Sequence, residues 1–134
     1  MTKAAIRQSL ADCKTIAVVG LSPKPHRDSF RVAKYMQDHG FRIVPINPNA
    51  PEVLGEKAYA SLTEAAMHER IDMVNCFRNS EDIPPIAAEA IAIGAKSLWL
   101  QIGVVNDPAA KQATDAGLVV VQDLCLMVEH RQLG

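Results

Sequence analysis

Apolar positions along this chain fall into two kinds of run. One kind is short and rich in β-branched residues, and it recurs at Thr15 to Val19, Arg42 to Ile46, Met73 to Phe77, Ser97 to Ile102 and Leu118 to Val121. These runs are apolar at consecutive positions instead of alternate ones, the pattern of parallel strands covered on both faces. The other kind repeats at helical spacing, as in Phe30, Val32, Ala33 and Met36, or Ile83, Ile86, Ala87, Ala90 and Ile91. Gly40, Gly94 and Gly117 each stand after a helical run and just before a strand, where a left-handed helix cap is expected. Helices near Lys3 to Asp12 and Leu124 to Gln132 flank the series, and Asn47 to Gly55 is the longest irregular stretch.

Strand and helix therefore alternate, which predicts an α/β fold: a Rossmann-like, doubly wound, mainly parallel five-stranded sheet with helices on both faces. The whole of residues 1–134 is expected to form one domain, a length that buries a single core. In such sheets ligands bind at the carboxyl ends of the strands, where the strand order reverses beside the first strand. That rule singles out Gly20 to Ser29, Asn47 to Asn49, Phe77 to Ser80, Gln101 to Val105 and Asp123 to Cys125.

Composition narrows the classes. Hydrophobic residues make up 49% and charged residues 22%, ordinary globular values. No apolar run reaches the roughly eighteen residues that span a bilayer, and Met1 to Asp12 lacks the apolar stretch of a signal peptide. The expectation is a cytoplasmic protein with no membrane partner. The formal net charge of −1 gives no electrostatic case for nucleic acid. Charge is nevertheless uneven: Lys3, Arg7, Lys14, Lys24, Arg27, Arg31, Lys34 and Arg42 face only Asp12, Asp28 and Asp38 in the first third. A small polyanion at this end fits that excess, and so does a solvated helix face.

After the first strand the chain reads Gly20-Leu21-Ser22-Pro23-Lys24-Pro25-His26-Arg27-Asp28-Ser29. Gly20 keeps the tight turn of a dinucleotide loop, while Ser22 and Pro25 replace its second and third glycines. Backbone N–H groups and the following helix N-terminus can still meet a phosphate, with hydroxyls from Ser22 or Ser29 and charge from Lys24 or Arg27. A side chain at Gly20 is expected to block that approach without disturbing the sheet. Ser29 or Asp28 also reads as the helix N-cap. At the end of the second strand stands Asn47-Pro48-Asn49, with no carboxylate before Glu52. An NAD site expects an acidic residue there for the ribose hydroxyls.

The stretch "IAVVGLSPKPHRDSFRVAKYMQDHGFRIVPINPN", followed by "GEKAYASL", "IDMVNCFRNSEDIP", "AKSLWLQIGVVND" and "GLVVVQDLCLMVEH", resembles the stand-alone CoA-binding proteins, which are similar to the amino-terminal domain of the succinyl-CoA synthetase α subunit. The resemblance runs from about Ile16 to His130 and implies a domain that binds coenzyme A or an acyl-CoA. By that resemblance Gly20, Leu21, Ser22 and Pro23 match the loop on the CoA phosphates, and Asn47 and Pro48 match the strand-two motif at the nucleotide. Asn49 and Ala50 stand where the synthetase domain carries a lysine, leaving Lys24, Arg27, Arg31 or Arg78 to meet the 3′-phosphate. Phe77 and Arg78 would lie by the adenine or the phosphates, although Phe77 read alone is more often a core residue than a stacking platform. Gln101 and Gly103 would line the pantetheine path.

Catalytic machinery is not visible. The synthetases form a phosphohistidine in a second domain, and neither that domain nor a nucleotide-grasping partner is encoded here. His26, His39, His68 and His130 have no metal-ligand spacing, and His39 beside Gly40 reads as a helix C-terminal residue. Cys13, Cys76 and Cys125 are widely spaced and form no CxxC pair; Cys76 and Cys125 read as packed thiols. Two readings follow. One is non-catalytic binding of CoA or an acyl-CoA at the strand ends, alone, as a homo-oligomer or with a protein partner. The other is an NADP-type oxidoreductase, or another small enzyme whose site a partner subunit completes.

Overall fold

The structure, a computed structural model, describes residues 3–133. In chain order the elements are α1 (Lys3–Ala11), β1 (Thr15–Val19), α2 (Asp28–Asp38), β2 (Arg42–Ile46), β3 (Glu52–Val53), β4 (Glu56–Lys57), α3 (Leu62–Ala66), β5 (Met73–Cys76), a 3-10 turn at Ser80–Asp82, α4 (Ile83–Ala92), β6 (Ser97–Leu100), α5 (Asp107–Asp115), β7 (Val119–Val121) and α6 (Leu126–Gln132). The main sheet has the order β2-β1-β5-β6-β7, and every pairing in it is parallel. The expected Rossmann-like sheet is present, and β1 and β5 flank its switch point.

Alternate residues of each strand feed two separate cores. In β1, Ile16 and Val18 join Leu10, Met36, Trp99 and Leu126 beneath α1, α2 and α6. Ala17 and Val19 join Leu62, Ile83, Ala87 and Leu98 beneath α3, α4 and α5. Burial on both faces is why the strands read as unbroken apolar runs. Gly40, Gly94 and Gly117 all have positive φ, as helix-capping glycines should.

Boundaries differ from the sequence reading where the chain leaves the sheet. Phe77, Gln101, Ile102 and Leu118 lie outside the strands, Asp12 lies outside α1, and Leu124 and Cys125 precede α6. The irregular stretch Asn47 to Gly55 is also partly ordered: Glu52 pairs with Lys57 and Val53 with Glu56 in an antiparallel ribbon. Its turn residues Leu54 and Gly55 have φ of 56° and 76°, the paired left-handed geometry of a tight hairpin. Val53 is the buried anchor of the ribbon, and Gln37 Nε2 donates to the Leu54 carbonyl at 3.0 Å. Beyond it, Tyr59 N donates to the Pro45 carbonyl and Asn47 N to the Tyr59 carbonyl, covering the open edge of β2.

The amino ends of the strands are closed by one carboxylate. Asp72 is 7% exposed, and its Oδ2 accepts from Lys14 N at 2.9 Å and Thr15 N at 3.0 Å. Lys96 Nζ lies 3.8 Å from the other oxygen. Burial, and then the Asp72 charge, push the neighbouring Cys13 thiol up to about 12.

Candidate functional site

The loop after β1 is held by its own side chains. Ser22 N donates to Ser29 Oγ at 3.0 Å, and Lys24 N donates to Ser22 Oγ at 3.1 Å. Ser29 is therefore not the N-cap of α2, contrary to the sequence reading, and neither is Asp28. Arg27 occupies the cap position with extended backbone and no capping side chain. The buried Ser29 hydroxyl instead fixes the width of the loop, leaving the first N–H groups of α2 uncapped. Ser22 keeps its hydroxyl proton free to donate, since the bond from Lys24 uses an oxygen lone pair.

Leu21 and Asn47 form the second brace. Leu21 is wholly buried, so its side chain belongs to the core and only its backbone belongs to the loop. Asn47 Nδ2 donates to the Leu21 carbonyl at 2.9 Å, and Asn47 Oδ1 accepts from Asn49 N at 2.8 Å. The first bond ties the β1 loop to the β2 loop, and the second folds the β2 loop on itself.

Gly20 is needed for a reason the sequence did not disclose. Its φ is +85°, and a Cβ there would stand 2.4 Å from the Phe77 carbonyl oxygen and 3.1 Å from Arg78 Cδ. The obstruction lies between the ends of β1 and β5, not at the loop mouth. The expectation that a side chain at Gly20 leaves the sheet undisturbed is therefore corrected.

Three adjoining cavities open around this contact. Gly20, Ser22, Lys24, Arg27, Asp28, Ser29 and Phe77 surround one of about 430 Å³. Gly20, Asn47, Pro48 and Arg78 line a second of about 440 Å³, together with Glu81, Asp82 and Glu89. Phe77, Arg78, Gln101 and Gly103 line a third of about 770 Å³. Of the residues singled out from sequence, Leu21 and Pro23 line none of the three. Phe77 is half-buried and packs against the core beneath α2 while facing two of the cavities.

Charge divides the cavities. Lys24 and Arg27 are exposed, and neither side chain has an ion-pair partner among the described residues. Arg31 pairs with Asp28, and Arg78 lies 3.4 Å from Asp82. In the cavity at the α2 N-terminus Lys24 and Arg27 outweigh Asp28, whereas in the one beside Asn47 and Pro48 the carboxylates of Glu81, Asp82 and Glu89 outweigh Arg78. An anion is favoured in the first, and hydroxyl or amine donors in the second.

Sequence reasoning named Gln101 and Gly103 as lining the crevice but missed how side chains fasten the remaining loops. Ser80 Oγ accepts from Val105 N at 3.0 Å, and Asn106 Nδ2 donates to the Ser80 carbonyl at 3.0 Å. Asp123, at φ 60°, accepts from Gly103 N at 2.7 Å. Gln101 is buried, and its Oε1 accepts from Leu126 N at 3.0 Å. The only available signal was position, since all of these except Asn106 fall in the post-strand segments.

Nucleophiles are not gathered at the crevice. Cys76 is wholly buried, and burial pushes its thiol up to about 12. His68 stacks on Tyr59, and His39 and His130 meet Tyr35 between α2 and α6. Among the described residues no group of His, Cys, Asp or Glu side chains is arranged to hold a metal ion, and no helix is long and apolar enough to cross a membrane.

A family model described as a CoA binding domain matches residues 14–131. The uncharacterized protein YneT of Bacillus subtilis (strain 168) is 45% identical over 129 residues, which is 96% of this chain and 94% of that protein. The solved structure of a hypothetical protein from Pyrococcus horikoshii OT3 superposes with a TM-score of 0.93 at 40% identity, covering 100% of this chain and 94% of that one. The ADP-forming acetate–CoA ligase II of Archaeoglobus fulgidus is 29% identical over 85 residues, 62% of this chain but only 12% of the ligase.

Proposed function

The chain belongs to the CoA-binding domain family, and from that premise we propose that it binds CoA or an acyl-CoA, as a single domain without catalysis of its own, in the crevice between the ends of β1 and β5. The observation that carries this reading is the pair Lys24 and Arg27, cations without ion-pair partners beside the uncapped start of α2. A diphosphate supplies the missing negative charge, accepting from the helix N–H groups and the Ser22 hydroxyl. Gly20, Ser29 and the Leu21 backbone shape that loop, and Pro23 closes its outer rim. Adenosine lies toward Asn47, Pro48 and Arg78, where carboxylates accept from its hydroxyls or amine. Phe77 separates the two, and Gln101 and Gly103 border the exit taken by the pantetheine arm. The buried Cys76 thiol and the placement of His39, His68 and His130 away from the crevice support binding without turnover.

Thermal unfolding with CoA, NAD and NADP at equal concentration tests the reading. A ligand at a hundred times its Kd stabilises by about 2.7 kcal/mol, so CoA should raise Tm by several degrees while the dinucleotides leave it in place. An NAD or NADP shift as large as that of CoA overturns the assignment. Release of free CoA from an acyl-CoA beyond one equivalent per protein overturns the absence of catalysis.

A further inference from the structure

A cavity of about 320 Å³ lies between the end of α1 and the amino ends of β5, β6 and β7, at the opposite end of the sheet from the crevice. Its charged residues are Asp12, Asp72 and Lys96, its other polar ones Gln8, Ser9, Cys13 and Ser97, and Ala95, Gly117 and Val119 complete the lining. Ser97 is 2% exposed, and its Oγ has no hydrogen-bond partner among the described residues. It shares a strand face with Trp99 two residues on, the face that packs beneath α1. A buried hydroxyl without a partner is costly, and its place at this cavity is where a ligand would relieve that cost.

The cavity favours positive charge. Asp72 Oδ2 is taken by the Lys14 and Thr15 N–H groups, but Oδ1 accepts no hydrogen bond among the described residues: the Lys96 ammonium stands 3.8 Å away on a half-exposed side chain. Asp12 is exposed and has no ion-pair partner among the described residues. The last turn of α1 carries no basic residue, so no cation of that turn offsets the negative end of its dipole. Asp72 raises the Cys13 pKa by more than Lys96 lowers it, which registers the excess of negative charge at the wall. Ser9 gives its hydroxyl proton to the Ala5 carbonyl and offers only lone pairs. Acceptors are in surplus, and a cationic donor answers them.

We propose that this cavity binds a small aliphatic ammonium compound, the ammonium group donating to Asp72 Oδ1 and Ser97 Oγ while its methylenes rest on Ala95 and Val119. Asp12 adds charge at the site. The inference is independent of the CoA reading above. The volume of about 320 Å³ lies at the low end of the roughly 300 to 1,000 Å³ of small-molecule pockets, which suits a chain of a few carbons. An anion would face two carboxylates, and a neutral alcohol would leave their charge unanswered.

Titration of the full chain at neutral pH with butylamine, butanol and butyrate, followed by the backbone amide NMR signals of Lys14 and Thr15 that bond to Asp72, reads the cavity directly. Butylammonium should shift both signals to saturation at millimolar concentration, the range open to so small a ligand. Butanol and butyrate should bind at least about tenfold more weakly. Ser97→Ala should weaken butylammonium by about fivefold or more and at the same time raise Tm, since it removes a buried hydroxyl that lacks a partner. A purely structural hydroxyl would lower Tm when removed. Asp12→Asn, at an exposed position, should weaken binding by about twofold to fourfold, and by less in high salt. No saturable shift with butylammonium, or an equal response to butyrate, overturns the proposal. Unchanged binding in Ser97→Ala overturns it as well, and so does a lowered Tm in that variant, which would mean the hydroxyl is already paired within the protein.

Discussion

At the amino ends of β1 and β5 one buried carboxylate closes the chain on itself: Asp72 accepts two backbone N–H groups and faces Lys96. At the carboxyl ends of the same strands the start of α2 has no capping side chain, and Lys24 and Arg27 stand without ion-pair partners. Both ends hold backbone donors and cations, but the carboxylate at the α2 end, Asp28, pairs with Arg31 and caps no backbone N–H. Where the protein provides the acceptor the contact is structural; where the helix start is left uncapped, an anion from outside could complete the arrangement, as proposed for CoA.

Four changes sharpen that contrast or break it. Gly20→Ala should have the largest effect, because it combines left-handed backbone with a Cβ driven against the Phe77 carbonyl. A loss of about 3 kcal/mol or more is expected in urea unfolding, and a loss below about 1 kcal/mol would mean the strand ends are looser than described. Asp72→Ala should cost about 2 to 3 kcal/mol by leaving the Lys14 and Thr15 N–H groups without their charged acceptor. CoA affinity should be unchanged at the opposite end, and a parallel loss of binding would erase the distinction between the ends.

Arg27→Ala should do the reverse. Stability should stay within about 0.5 kcal/mol, while CoA binding weakens by about 1 to 2 kcal/mol in calorimetry, a loss that shrinks as salt is raised. Equal weakening at all salt concentrations would place the anion elsewhere. The smallest effect concerns neither end. His130 accepts or donates at 2.9 Å with the Tyr35 hydroxyl, beside His39, Phe41 and Arg131, and burial, then the His39 charge, hold its pKa below the ordinary 6.5. The unfolded chain therefore binds a proton that the folded one resists, so this contribution is intact above pH 6.5 and is lost as pH falls through the lowered value. Between pH 7.5 and 5.5 the drop in Tm should be smaller in His130→Gln than in the parent; an equal drop would assign the acid sensitivity to other groups.

The sheet was legible because two-sided burial writes itself into consecutive apolar positions: β1, β2, β5 and β6 begin at the residues the pattern indicated. The far ends of β5 and β6 were overextended, since Phe77, Gln101 and Ile102 are apolar or amide residues that turn toward the crevice and still look like strand. The β3–β4 ribbon escaped because two-residue strands carry no periodicity, and Val53 is its one buried anchor. At the site, residue type drew attention to the loop after β1. The division of labour within it was hidden, because Ser22 to Ser29 and Leu21 to Asn47 are contacts between residues far apart in sequence. Ser29 looked like a cap and is a brace.

The Asn47 brace also bears on how this chain could diverge. The end of β2 is where a dinucleotide-binding relative would carry an acidic residue for the ribose, and a single base change turns an asparagine codon into an aspartate codon. Aspartate at position 47 could still accept from Asn49 N, but it would have no proton for the Leu21 carbonyl and would set a negative charge against it. The shortest mutational path toward another cofactor therefore begins by untying the loop after β1. A change of ligand would first need a second substitution that holds Leu21 in place by other means.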